Sequence, residues 1–130
     1  MSPDMTDILI VDDEEEICEY LCKTLEVIGI KATYCLTGEQ ALTQIHQNNF
    51  KIFIIDMKLP TAITGMELIK IIREKFPESV IVGMSAYIDH KLKEDALRYG
   101  ANEYFEKPDD LEMERFSEKI KLLLQKNKLL

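Results

Sequence analysis

The sequence is poor in several things that would each have named a class of protein. It has three cysteines, Cys18, Cys22 and Cys35. An odd number with a C-x-x-x-C spacing fits neither a disulfide framework nor a zinc ribbon or C-x-x-C redox motif, so reduced thiols in the cytoplasm are expected. No apolar run approaches the ~20 residues of a membrane span. The first residues, Met1-Ser2-Pro3-Asp4, show neither the basic nor the apolar region of a signal peptide. Internal repeats, low-complexity tracts and linkers are missing. Basic charge is also short: 16 Lys and Arg stand against 24 Asp and Glu, for a net charge of −8. Such a surface repels a duplex or an anionic membrane, which argues against direct nucleic-acid or membrane binding. Proteins and cations are the expected partners.

What remains is globular. The chain has 130 residues, 46% hydrophobic and 31% charged. That suits one domain with one core, spanning residues 1–130. Short apolar runs recur along it: Asp7 to Val11, Lys31 to Cys35, Ile52 to Ile55, Val80 to Met84, and a shorter run at Glu103-Tyr104-Phe105. Runs apolar on both faces suit the strands of a covered parallel sheet. Helical spacing lies between them. Ile17, Cys18, Leu21, Cys22, Leu25 and Ile28 share a face that Gly29 ends. Thr37 with Gln40, and Thr64 with Glu67, read as capping boxes. Asp89 can cap a fourth helix that carries Leu92, Ala96 and Tyr99 and stops at Gly100. A fifth helix is expected from about Leu111, with Phe116, Ile120, Leu123 and Leu124 inward. Leu122, Leu129 and Leu130 form a second apolar set, read as partly buried. Strict β–α alternation predicts a single doubly wound (βα)5 domain, an α/β fold with a flavodoxin-like parallel sheet of order 2-1-3-4-5.

In that architecture ligands bind beyond the C-terminal ends of the strands. The first strand runs into Asp12-Asp13 and then Glu14, Glu15 and Glu16. The third ends in Asp56, the fourth in Ser85 and the fifth in Lys107-Pro108. Singly, each is ordinary: acids start helices, an Asp turns a chain, a Lys faces water. Together they place three carboxylates, a hydroxyl and an ammonium at one sheet edge. Packed carboxylates require compensating cations. Lys107 supplies one charge, and a divalent ion would supply the rest. An all-oxygen set without His or Cys favours a hard ion, Mg²⁺, with Mn²⁺ as a substitute. His46 and His90 have no metal-ligand spacing and are expected at the surface. Such a site suits phosphoryl chemistry, with an Asp as nucleophile and Asp56, on the central strand, best placed.

The segments Asp7-Ile-Leu-Ile-Val-Asp-Asp-Glu14, Ile54-Ile-Asp-Met-Lys-Leu-Pro60, Met84-Ser-Ala86, Gly100-Ala101 and Tyr104-Phe-Glu-Lys-Pro108 together resemble the receiver domain of two-component response regulators. The resemblance runs from about Asp7 to about Leu124. It implies a cytoplasmic phosphorelay receiver that takes a phosphoryl group from a sensor histidine kinase, or a histidine phosphotransfer protein, onto Asp56. It implies Mg²⁺ on Asp13, Asp56 and the backbone carbonyl of Lys58, with Asp12 acting through water. Ser85 and Lys107 would serve the transfer, Lys107-Pro108 would be cis, and Tyr104 would be the aromatic switch. The surface of the fourth helix, fifth strand and fifth helix would then control an output protein or effector domain, and homodimerisation on phosphorylation is a further expectation. Such a chain catalyses only its own phosphoryl transfer and dephosphorylation. Whether it is a stand-alone regulator or the N-terminal domain of a longer one stays open. Two features depart from the family. Residues 61–64 make the loop after Pro60 one residue longer than usual. Asp109 and Asp110 stand after Pro108, where an apolar residue is common, and are expected to add negative charge at the mouth of the last helix. Three other readings fit less well. A flavin-binding domain would need a phosphate-cradling Ser/Thr/Gly loop where Asp12 to Glu16 stand. An aspartyl phosphatase would need an Asp-x-Asp pair. An unphosphorylated scaffold would have no use for the five convergent side chains.

Overall fold

The computed structural model describes residues 8–86 and 90–127. Five strands alternate with five helices: β1 (Ile8–Val11), α1 (Glu15–Val27), β2 (Ala32–Cys35), α2 (Gly38–Gln47), β3 (Ile52–Asp56), α3 (Gly65–Lys75), β4 (Val80–Ser85), α4 (His90–Tyr99), β5 (Glu103–Glu106) and α5 (Met113–Lys126). All pairings are parallel and the order is β2-β1-β3-β4-β5, as the alternation predicts.

The period of two along each strand divides the core into two layers. Ile8, Ile10, Ile52, Ile54, Val80, Val82, Met84 and Phe105 face α1 and α5, where Leu21, Leu25, Phe116 and Ile120 meet them. Leu9, Val11, Phe53, Ile55, Ile81 and Tyr104 face α2, α3 and α4. The sheet is thus covered on both sides, which is why β1, β3 and β4 are apolar without interruption.

The helix ends follow local chemistry. Thr64 and Glu67 form a complete capping box at α3. At α2, Thr37 accepts the Gln40 N–H, but the Gln40 side chain reaches back to Leu36 N–H rather than to Thr37. Gly29 and Gly100 both take positive φ where their helices stop. The last helix starts later than its apolar pattern suggests. Asp109–Leu111 form a 3₁₀ turn, and Glu112 caps α5 by accepting the N–H groups of Glu114 and Arg115. Leu122 is 62% exposed and not partly buried, while Leu129 and Leu130 lie outside the described residues, as do the Asp89 cap and Tyr87. His46 and His90 are exposed, as expected.

Candidate functional site

Register places the candidate side chains. Val11 lies opposite Ile55, so Asp12 and Asp56 leave neighbouring strands at the same level. Asp56 lies opposite Met84, and Ser85 opposite Glu106, so Lys107 starts beyond them and reaches back. By the same two-residue period Asp12, Asp56 and Lys107 continue the α1/α5 face of the sheet. Ser85 belongs with Gly83 and Tyr104 on the other face. Sequence reasoning grouped Ser85 with the carboxylates. The pleat starts its side chain from the opposite face, and it is fully buried.

The Lys107 ammonium holds the centre. Its Nζ donates to Asp12 Oδ2 at 2.6 Å, lies 3.5 Å from Asp56 Oδ2 and 4.0 Å from Glu14 Oε1. The Lys107 side chain is only 8% exposed. Burial works against its charge, but the Asp12 hydrogen bond and the fields of Asp56, Asp12 and Glu14 hold its pKa above the ordinary value. Asp12 is fully buried and its second oxygen accepts the Glu14 N–H at 2.9 Å. Asp56 is 5% exposed, and its Oδ1 accepts the Lys58 N–H at 3.1 Å. Burial raises the Asp56 pKa. The Lys58 N–H and Lys107 oppose the rise, and Asp12 and Asp13 add to it. Asp13 is exposed at the rim.

One carboxylate oxygen each from Asp12, Asp13 and Asp56 lies within 4.8 Å of the others. Three negative charges and one ammonium leave an excess that a hard divalent cation would neutralise through these oxygens, so the donor set fits Mg²⁺. The Cys18 thiol donates to the Asp12 backbone carbonyl at 3.4 Å. Burial, then Asp12, pushes the Cys18 thiol up to about 12, and burial pushes Cys35 up to about 11. Both are poor nucleophiles at neutral pH.

The Lys107-Pro108 bond is cis. The model of the response regulator receiver domain matches residues 8–121. This chain belongs to that family. Receiver domains are the phosphoacceptor signal receivers of two-component systems, and their acidic clusters generally bind Mg²⁺. Among curated relatives it is 32% identical over 108 residues to the response regulator ArlR of Staphylococcus haemolyticus, covering 83% of this chain and 48% of that protein. It is 30% identical over 112 residues to the transcriptional regulatory protein ZraR of Escherichia coli K12, covering 86% of this chain and 25% of that protein. The chain therefore spans about half or less of these two relatives. Among solved structures, a CheY-like receiver domain protein from Methanospirillum hungatei superposes with a TM-score of 0.87 at 27% identity, covering 96% of this chain and 98% of that one. The receiver domain of NtrX from Brucella abortus gives 0.84 at 26% identity, with coverage of 92% and 98%.

Three features of this receiver domain escaped sequence reasoning. Gly65 lets α3 close on the acceptor strand: a Cβ there would lie 2.3 Å from the Asp56 carbonyl oxygen. The longer loop is not loose. Thr61 donates to Ile63 O at 2.7 Å and accepts the Gly38 N–H at 3.4 Å, so it packs on the start of α2. Asp110 does not add charge to the mouth of the last helix. It is buried and paired with Arg115 and Lys119 of α5. The separations, five and nine residues across a 3₁₀ turn and a helix start, are not those of neighbours on one helix and gave no signal.

Proposed function

We propose that Asp56 accepts a phosphoryl group from the phosphohistidine of a sensor kinase or phosphotransfer protein in the cytoplasm. The observation that carries this reading is the Lys107 ammonium, 2.6 Å from Asp12 and 3.5 Å from Asp56, with all three side chains buried at the sheet edge. The ionised Asp56 carboxylate supplies the electron pair for the new O–P bond. The N–P bond of the donor breaks, and its electron pair returns to the imidazole nitrogen. Lys107 meets the charge on the phosphoryl oxygens, and the Lys58 N–H holds one Asp56 oxygen in place. Asp13, Asp56 and the Lys58 carbonyl would hold Mg²⁺. Asp12, with both oxygens already engaged by Lys107 and Glu14, would act through water. When bound, the ion would neutralise phosphoryl oxygens and bring donor and acceptor together.

Phosphorylation replaces about one negative charge with about two. Ser85 is the hydroxyl at the same rim, and the Lys107 N–H already donates to the Ser85 carbonyl at 2.8 Å. On the Ser85 face the Tyr104 ring lies against Gly83, where an added Cβ would stand 3.1 Å from it. A shift of Ser85 is thus passed to Tyr104 and to the surface of α4, β5 and α5, which controls the output partner or effector domain and forms the dimer contact of the phosphorylated state. Incubation with phosphoramidate and Mg²⁺, followed by intact-mass measurement, should add one base-labile phosphoryl group, and Asp56→Asn should abolish it. Amide NMR shifts should then extend from Asp56 through Ser85 to Tyr104 and α5. Full labelling of the Asp56→Asn protein would sink the acceptor assignment, and shifts confined to the acidic loops would sink the switch.

A further inference from the structure

Asp110 is a third buried carboxylate, 7% exposed and outside the acidic cluster of Asp12, Asp13 and Asp56. Among the described residues β5 is an edge strand, paired only with β4. The Lys107 N–H points inward to the Ser85 carbonyl, so alternation turns the Glu106 N–H outward. An outward amide on a sheet edge ordinarily meets water. Here Asp110 Oδ2 accepts it at 2.8 Å. Asp110 Oδ1 receives Arg115 Nε at 3.0 Å and lies 3.7 Å from Lys119 Nζ. Glu106 is the residue before Lys107, whose ammonium must reach back past the strand end to Asp12 and Asp56. Two consecutive amides are therefore pinned on opposite sides, one by Ser85 and one by Asp110. The pin on the edge side is itself anchored in α5.

We propose that Asp110 is a positioning residue: by holding the Glu106 N–H against α5 it fixes the end of β5, and with it the reach of Lys107 for phosphoryl transfer. This rests on the reading of Asp56 as acceptor. Misplacement of a reacting group by ~1 Å costs on the order of 10²-fold in rate. An edge amide relaxing into water moves Lys107 by part of that distance. Asp110→Ala should therefore slow labelling of the full chain by phosphoramidate by about 10-fold at saturating Mg²⁺. Measurement at saturating Mg²⁺ separates this from any change in metal affinity that a displaced Lys107 brings, since Asp12, Asp13 and Asp56 are all retained. Asp110→Asn keeps an oxygen for the Glu106 N–H but loses the acceptor for Arg115 and Lys119, and should recover part of the rate. A purely structural role would lower the melting temperature of the Ala variant and leave its rate, measured well below that temperature, at the wild-type value. That result would overturn the proposal, as would an Asn variant as slow as the Ala variant. Should the Ala variant not fold, slow exchange of the Glu106 amide in the wild type and the Asn variant supports the proposal, and exchange as fast as an open amide in the wild type overturns it. A wild type that takes no label sinks the acceptor reading alone. Asp110 is then judged by the Lys107 side-chain NMR signal, which should shift in the Ala variant and return in the Asn variant; an unshifted signal in the Ala variant overturns the proposal.

Discussion

Replacing Asp56 with Asn tests the electrostatics of the site without any donor or metal. At an effective dielectric of about 20, Lys107 at 3.5 Å attracts the Asp56 charge by about 5 kcal/mol, and Asp12 within 4.8 Å repels it by about 3.5 kcal/mol. Exposed Asp13 adds a smaller, solvent-screened repulsion. These terms nearly cancel, and what remains is the cost of burying a carboxylate that is 5% exposed and keeps one backbone N–H partner. Asn preserves the shape and an oxygen for the Lys58 N–H while deleting the charge. It should stabilise the metal-free protein at pH 7 by on the order of 1–2 kcal/mol. The sign follows from the raised pKa of Asp56. The folded state binds this proton more tightly than the unfolded state does, so stability falls as pH rises between the unfolded value, about 3.9, and the folded one. Above that window the cost is constant; below it the cost disappears. Urea unfolding in EDTA should therefore show the Asn midpoint about 0.5–1 M higher at pH 7. The gap should narrow as the pH is lowered towards 4. An Asn protein no more stable than wild type at pH 7 would refute the reasoning, since Lys107 would then outweigh burial and repulsion together.

Three further outcomes are expected. Mg²⁺ at ten times its dissociation constant should stabilise the wild type by about 1.4 kcal/mol. That is about 3–5 °C in melting temperature, and Asp13→Ala should lose most of it. Gly65→Ala places a Cβ 2.3 Å from the Asp56 carbonyl oxygen and 2.8 Å from Met57 Cα, backbone that cannot swing aside. Chemical denaturation should show a loss of about 1–3 kcal/mol, and labelling should slow because the acceptor strand moves. Arg73 donates to the carbonyls of Gly100, Pro77 and Ser79 and to the Asn102 side chain, joining α3 to the strands at the opposite end of the sheet. Arg73→Lys cannot span these acceptors and should cost about 2–3 kcal/mol, with labelling below the melting temperature unchanged.

The alternation of apolar runs and amphipathic stretches was enough to predict the element order, the parallel sheet and the strand order. Burial on both faces leaves its mark on every residue from Ile52 to Ile55 of β3, and the chain's connections admit few topologies. The chemistry at the strand ends was legible for the same reason: in a parallel sheet Asp12, Asp56, Ser85 and Lys107 must all emerge at one edge. The helix α5 starts at Met113, two residues after the expected Leu111, because Leu111 supplies an apolar position before the helix begins. Its side chain is buried from a 3₁₀ turn, and periodicity does not distinguish that turn from the helix that follows.

Sequence by itself determined which residues would share an edge, because that depends on strand order and on where each strand stops. Only the tertiary structure decided how they are divided. Pleat parity puts Asp12, Asp56 and Lys107 on one face and Ser85 with Tyr104 on the other, and it depends on register, which no single strand encodes. Only the fold brought the surface cations Arg115 and Lys119 to the buried Asp110, which holds the Glu106 N–H next to Lys107. Charge and burial oppose one another, and their balance at each carboxylate is set by distances of a few ångströms between segments far apart in the chain.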